Sequence, residues 1–329
     1  MKKIIALASI IVASLTFSCR EENVQNEAPV KLTSFKSVKY KEIEALMPID
    51  YPSELVNYNE VQLKEVALAN QNKNLRITQK KTLTEIVENV YAKYPSFDNF
   101  DAKAYKKYFP KLTEAEIIAN SESILSYMEK LMGYEVADVF SKEGDGIIEV
   151  KPKKNKNGRV GINILEAITE CETWYYLAHL RMDWNGIYTA RDKAFESSST
   201  VDGNAGGAQD KIDALRHGVW GSYVGKYACY RYGSVSEAYF VAKGFVESHE
   251  CNQSGPDTEM DAHNNKICLG YYLMNAERVK VNFINYNVVL KKEPSEITST
   301  MRDGYGFVQV ANDVNSIRNA SVGKLVYIY

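Results

Sequence analysis

Apolar residues recur along most of this chain at helical spacing. From Thr82 to Tyr94, the positions Leu83, Ile86, Val87, Val90, Tyr91 and Tyr94 follow the i, i+3, i+4, i+7 rule of one buried face, and Pro95 ends the run. Thr113 with Glu116 three residues on forms a capping box. Ile117, Ser121, Ile124, Met128 and Leu131 then share a stripe, with Gly133 as the expected stop. On this pattern 35–140 reads as a small helical domain. The stretch 141–161, with Lys151, Lys153, Lys154, Lys156 and Arg159 around Pro152 and Gly158, reads as a solvated linker. The remainder, 162–329, reads as a multi-helix domain. Its last part changes period: Gly306 to Val310 and Leu325 to Tyr329 are short and β-prone, and predict a small terminal hairpin. The expected fold class is mainly α.

The chain has 4 histidines, and three of them sit in distinctive helical segments. A glycine-containing loop (Gly203, Gly206, Gly207) leads into a helix from about Ala208, on which Asp213 and His217 are four apart and share a face with Trp220 and Val224. A second helix, capped by Ser234 and Glu237, carries Ala238, Ala242, Phe245 and His249 on one stripe, with Glu250 beside it. A third begins after Pro256, with Asp257 or Thr258 as cap. It places Met260, His263, Asn264 and Ile267 on its inner face and Asp261 and Asn265 on an adjacent one. Polar groups on apolar faces must satisfy one another, a water, a metal or a substrate. The three imidazoles are therefore expected to converge on one pocket.

Composition and the chain start set the compartment. Lys2 and Lys3 precede an apolar run from Ile4 to Leu15, too short for a stable membrane span and of signal-peptide length. Thr16-Phe17-Ser18-Cys19 resembles a lipobox, with Leu15 displaced by one position. Residues 1–18 are thus expected to be a lipoprotein signal peptide, Cys19 the lipidated residue and 19–34 a tether. Arg20-Glu21-Glu22 resembles the surface-export signal of Bacteroidota lipoproteins. The expected location is the cell envelope, as an outer-membrane lipoprotein attached by lipid. Net charge is −2, which gives no argument for a nucleic-acid partner. Cys171, Cys229, Cys251 and Cys268 allow three disulfide pairings, and the spacing does not choose among them.

The order D-A-x-R-H-x-x-W, then H-E ending a helix, then M-D-x-H-N-N, resembles an uncharacterised bacterial domain family. It rests on Asp213, Ala214, Arg216, His217, Trp220, His249, Glu250, Met260, Asp261, His263, Asn264 and Asn265, within roughly 163–329. Members of that family occur in lipoproteins and at the C-termini of RHS-type polymorphic toxins, a context that implies hydrolytic chemistry by association.

The residues themselves suggest a metal-dependent hydrolase acting on a phosphodiester or similar ester. His217, His249 and His263, with Asp213 or Asp261, would bind zinc or manganese. Glu250 would be the general base and Arg216 would face developing negative charge. Asn264, Asn265 and Trp220 would hold a small or polymeric substrate. A metal-free version uses His217 as base and His263 as acid. The contrasting expectation is a non-catalytic binding or scaffolding lipoprotein whose histidines form a structural polar network.

Overall fold

Alternation, not helical spacing, governs the first segment of the computed structural model, which describes residues 34–71, 81–144, 169–201, 210–281 and 286–328. Ile43, Ala45 and Met47 are buried at every second position. They belong to an antiparallel hairpin of β1 (Phe35–Tyr40) and β2 (Ile43–Pro48), turned at Lys41 with φ 50°. The helical expectation for 35–140 fails here because the buried period is two. It holds afterwards, through α1 (Glu60–Gln71), α2 (Leu83–Tyr91), α3 (Ala102–Tyr105), α4 (Glu114–Ala119) and α5 (Ser121–Glu143). The boxes at Thr82 and Thr113 are both made reciprocally with Glu85 and Glu116. Gly133, expected as a stop, lies inside α5. A Cβ there would fall 2.3 Å from the Leu177 carbonyl oxygen, so its glycine serves a close helix crossing.

The C-terminal half continues with α6 (Glu170–Ala178), α7 (Trp184–Ser198), α8 (Lys211–Tyr227), α9 (Val235–His249) and α10 (Pro256–Asn275). A hairpin of β3 (Ala276–Lys280) and β4 (Tyr286–Leu290) follows. Then come α11 (Pro294–Ser299), a π-helical turn over Thr300–Tyr305, β5 (Phe307–Val310), α12 (Val314–Arg318) and β6 (Leu325–Ile328). The two expected terminal strands do pair, but in parallel. The helix α12 lies between them, and parallel strands need such a crossover instead of a tight turn. Among the described residues no helix is long and apolar enough to cross a membrane. The expected signal peptide, Cys19, the tether to 33, the basic stretch 151–159 and the glycine loop 202–209 lie outside the described residues.

Phe35–Tyr329 cluster as one compact unit. One apolar core runs from Met47 through Tyr127 and Leu131 to Tyr176, Val224 and Leu269, so the described parts of 35–140 and 162–329 share an interior. Arg181, buried between α6 and α7, ties the halves electrostatically. Its backbone N–H donates to Glu129 Oε1 (2.9 Å), its Nη1 to Glu122 Oε2 (2.9 Å) and its Nη2 to Glu237. The guanidinium also stacks 4.4 Å from the Tyr232 ring centroid. Glu237 therefore spends its carboxylate on Arg181, and only the Ser234 half of the expected α9 box is made. Burial opposes this charge, and Glu129, Tyr232, Glu237 and Glu122 together hold its pKa above the ordinary arginine value.

Replacing Arg181 strands Glu129, a carboxylate only 5% exposed. Arg181→Met should cost about 3–5 kcal/mol, read by urea unfolding. A loss below about 1 kcal/mol would show that the halves do not depend on this ion cluster.

Candidate functional site

The site is built on α8, a helix covered along most of its length. Asp210 caps it, accepting from the N–H groups of Ile212 and Asp213 at 2.8 and 3.0 Å. From Asp213 to Gly225 nearly every side chain is buried, as expected for a helix covered on all sides. Asp213 and His217 are 4% and 7% exposed. The four-residue spacing puts Asp213 Oδ1 3.8 Å from His217 Nε2. Asp261, from the first turns of α10, brings its Oδ1 to 3.4 Å from the same nitrogen. One ligand atom each from Asp213, His217 and Asp261 lies within 4.8 Å of the others.

The approach of α10 to α8 sets that geometry. A Cβ on Gly221 would meet Cys268 Sγ at 2.7 Å, so only glycine allows the crossing. Cys268 Sγ accepts from the Gly221 N–H (3.1 Å) and donates to the His217 carbonyl (3.3 Å), a joint one turn from the imidazole.

The second half of the site comes from α6 and α9. His249 ends α9 and its Nδ1 lies 3.2 Å from Oε1 of Glu172, a carboxylate 2% exposed. The His249 and His217 ring centroids are 6.2 Å apart. Glu172 is also the N3 residue of the α6 capping box, where its Oε2 accepts from the Thr169 N–H at 2.6 Å. Cys171 and Cys251 form a disulfide, while Cys229 and Cys268 are free and buried, so one bridge forms and none of the three two-bridge pairings is made. The bridge joins the residue before Glu172 to the residue after Glu250. It closes a separation of 80 residues, and disulfides typically contribute about 2–4 kcal/mol.

Burial raises the Asp261 carboxyl to about 8, with Asp213 adding to the rise and His249 and Arg216 opposing it. Glu250 is raised by burial and by Asp261. His217 is lowered by burial, against the pull of Asp213. Burial would lower His249 as well, but Glu172, Glu250 and Asp261 outweigh it and hold the ring at about 9. These shifts favour the cationic form of His249 and the neutral form of His217 at neutral pH. Asp261 Oδ1, Glu250 Oε1, His217 Nδ1 and Asn265 Oδ1 are buried without a hydrogen-bond partner among the described residues.

Two expected members lie elsewhere. His263 is two residues from Asp261, about 200° round the helix, and its Nε2 meets the Lys324 carbonyl at 3.1 Å. It borders a separate surface groove with Lys266, Met274 and Ile317. Asn264 is fully buried, but its Nδ2 donates to the Val326 carbonyl (2.9 Å) and its Oδ1 accepts from the Val326 N–H (2.8 Å), so it splices β6 onto α10. Neither can act at His217. Asn265, one turn after Asp261, is 3% exposed, and its Oδ1 has no hydrogen-bond partner among the described residues. Arg216 Nη1 pairs with Asp213 at 2.9 Å, and its guanidinium sits 4.9 Å from the Phe195 ring centroid. The cap of α10 is Gly255, not Asp257 or Thr258.

Arg216, His217, Trp220 and His249 line one pocket together with Glu172 and the α7 residues Tyr188 and Arg191. Periodicity gives no sign of Glu172 or of the α7 wall. Glu172 looks like an ordinary capping residue until α6 is docked on α9.

The class this geometry defines is a helical domain with a buried His/carboxylate centre opening into a pocket. Residues 175–295 match a domain of unknown function, DUF6973. The match spans every site residue named above except Glu172. No curated protein and no solved structure matches the chain.

In chelator-treated protein the His249 ring should titrate near 9 by NMR, and Glu172→Gln should bring it down. Because the folded value exceeds the unfolded one of about 6.5, the pair's stabilisation is full below about pH 6.5 and is lost as pH rises through about 9. A His249 pKa below about 6.5 in the parent protein would contradict the Glu172 assignment.

Proposed function

We propose that Asp213, His217 and Asp261 hold one divalent cation, zinc or manganese, and that the protein hydrolyses a phosphodiester or similar ester. The observation that carries this reading is the Asp213–His217–Asp261 cluster itself: a buried carboxylate and a half-buried one converge on one imidazole, and Asp261 Oδ1 has no hydrogen-bond partner among the described residues. Two carboxylate oxygens and one imidazole nitrogen suit zinc or manganese, and three protein ligands leave coordination positions free.

A bound divalent ion would polarise the ester oxygen and bring the pKa of a water toward neutrality. The other residues divide the remaining work. Glu250 is the base: its Oε1 is buried without a partner among the described residues, and its raised pKa is nearer the working pH. His249, held protonated by Glu172, donates a proton to the leaving oxygen. Arg216 offers its guanidinium to the ester's negative charge. His263, expected from the sequence to bind the metal or act as the acid, takes neither role.

The Cys171–Cys251 disulfide supports an exported location, since such bridges persist in oxidising compartments. We place the protein at the cell envelope on a lipid at Cys19, in keeping with the likeness to domains of lipoproteins and toxin tips. Cys19→Ala should shift it from the membrane to the soluble fraction, and an unchanged distribution would remove the anchor.

Elemental analysis of the chain lacking residues 1–18 should find about one zinc or manganese per chain, lost in Asp261→Asn and retained in His263→Ala. Binding must displace the Asp261 proton, so affinity should rise about tenfold per pH unit from about 6.5 to 8 and then level off. A metal-free parent with no esterase or phosphodiesterase activity would favour the scaffolding alternative.

A further inference from the structure

The pocket beside the cluster carries information about the substrate that the cluster does not. Its far wall is one face of α7, contributed by Ile187, Tyr188, Ala194 and Phe195, and its near wall includes Trp220 of α8. Ile187 and Ala194 are fully buried and Trp220 is 9% exposed. Trp220 is held by Phe245 at 6.3 Å between ring centroids, and Tyr188 stands edge-on to Trp184 at 5.3 Å. These walls are supported from behind and do not need a ligand to be ordered.

The guanidinium on that surface is incompletely satisfied. Arg216 commits Nη1 to Asp213 and rests on Phe195, yet its Nε is buried with no hydrogen-bond partner among the described residues. A buried charged donor left unpaired is costly, and the remaining edge of the guanidinium matches two oxygens of a phosphate. Arg191 on the opposite wall, paired with Asp192 at 3.3 Å, and His249, paired with Glu172, border the same pocket. The apolar walls and the single gripped anion describe a small-molecule slot. They do not describe a groove that tracks a polyanionic strand, which needs a run of cations with interleaved aromatics.

We infer that this slot selects phosphate esters of a flat, apolar alcohol, with Arg216 holding the phosphate and Ile187, Tyr188 and Trp220 packing on the alcohol group. The inference names the substrate class for the hydrolase reading above and rests on it for the chemistry, but its own evidence is the pocket wall. It replaces the open choice between a small and a polymeric substrate with a small one.

Calorimetric titration of the chain lacking residues 1–18 with phenyl phosphate, methyl phosphate and benzoate tests it, with metal content measured on the same samples. Phenyl phosphate should bind at least about tenfold more tightly than either comparison ligand, because only it fills both the apolar slot and the guanidinium site. Ala194→Trp, which fills the slot, and Arg216→Gln should each weaken phenyl phosphate at least about tenfold, with Ala194→Trp keeping its metal. If Ala194→Trp fails to fold, Ile187→Ala serves, and should weaken phenyl phosphate severalfold without changing methyl phosphate. Equal affinities for phenyl and methyl phosphate, benzoate binding as tightly, or unchanged affinity in the slot variants would overturn the inference. A parent that selects phenyl phosphate but holds no metal and turns nothing over supports the slot and sinks the hydrolase. A metal-loaded, active parent without phenyl preference does the reverse.

Discussion

Two carboxylates, Asp213 and Asp261, are brought together in the interior against an imidazole too deeply buried to stay charged. Like charges in such a place cannot both persist without a compensating cation or a proton. Everything around them bears on that constraint. Arg216 supplies part of the compensation to Asp213, and His249 supplies more at longer range. Asp261 is left holding its proton to about pH 8, far above the usual carboxylate range, and its Oδ1 has no hydrogen-bond partner among the described residues. The scaffold is arranged to keep this conflict in place. The glycine crossing at Gly221 fixes α10 on α8, and the disulfide fixes α6 on α9.

The N-terminal half takes part in that scaffold. Arg181 links Glu122 and Glu129 of α5 to Glu237 at the start of α9, and the opposite end of α9 carries His249. Trp184, at the head of α7, donates its Nε1–H to Thr84 of α2 at 3.1 Å, so the helix forming the pocket wall is also anchored to the first half. These contacts explain how the short domain match can lie within a larger continuous core: the candidate site sits mostly on α8 to α10, and residues outside 175–295, such as Thr84, Glu122 and Glu129, help anchor α7 and α9.

Much of this is legible in the chain. The helical period marks out α8, α9 and α10, and the spacing of four alone pairs Asp213 with His217. His249 follows from a polar residue ending an apolar face, and Glu250 and Asp261 from polar residues beside such faces. What local pattern misses is the side of α10. That helix is buried by α8 and also by β6 and α12, so a polar residue on a buried stripe has two destinations. His263 and Asn264 face the strand that arrives some sixty residues later, and a backbone partner there is invisible to local periodicity. Glu172 is hidden for the opposite reason: its capping role explains it completely until the long-range α6–α9 contact gives it a second partner. The β1–β2 hairpin is a misread period, with Ile43, Ala45 and Met47 alternating in plain view.

The proposed chemistry turns on where a cation sits. Anomalous diffraction at the zinc or manganese edge, on crystals grown with that ion above pH 8, tests this directly. One peak is expected within bonding reach of Asp213 Oδ1, His217 Nε2 and Asp261 Oδ1, with His263 uninvolved. A peak at His263 alone, or none in a crystal whose chains are fully folded, would contradict it.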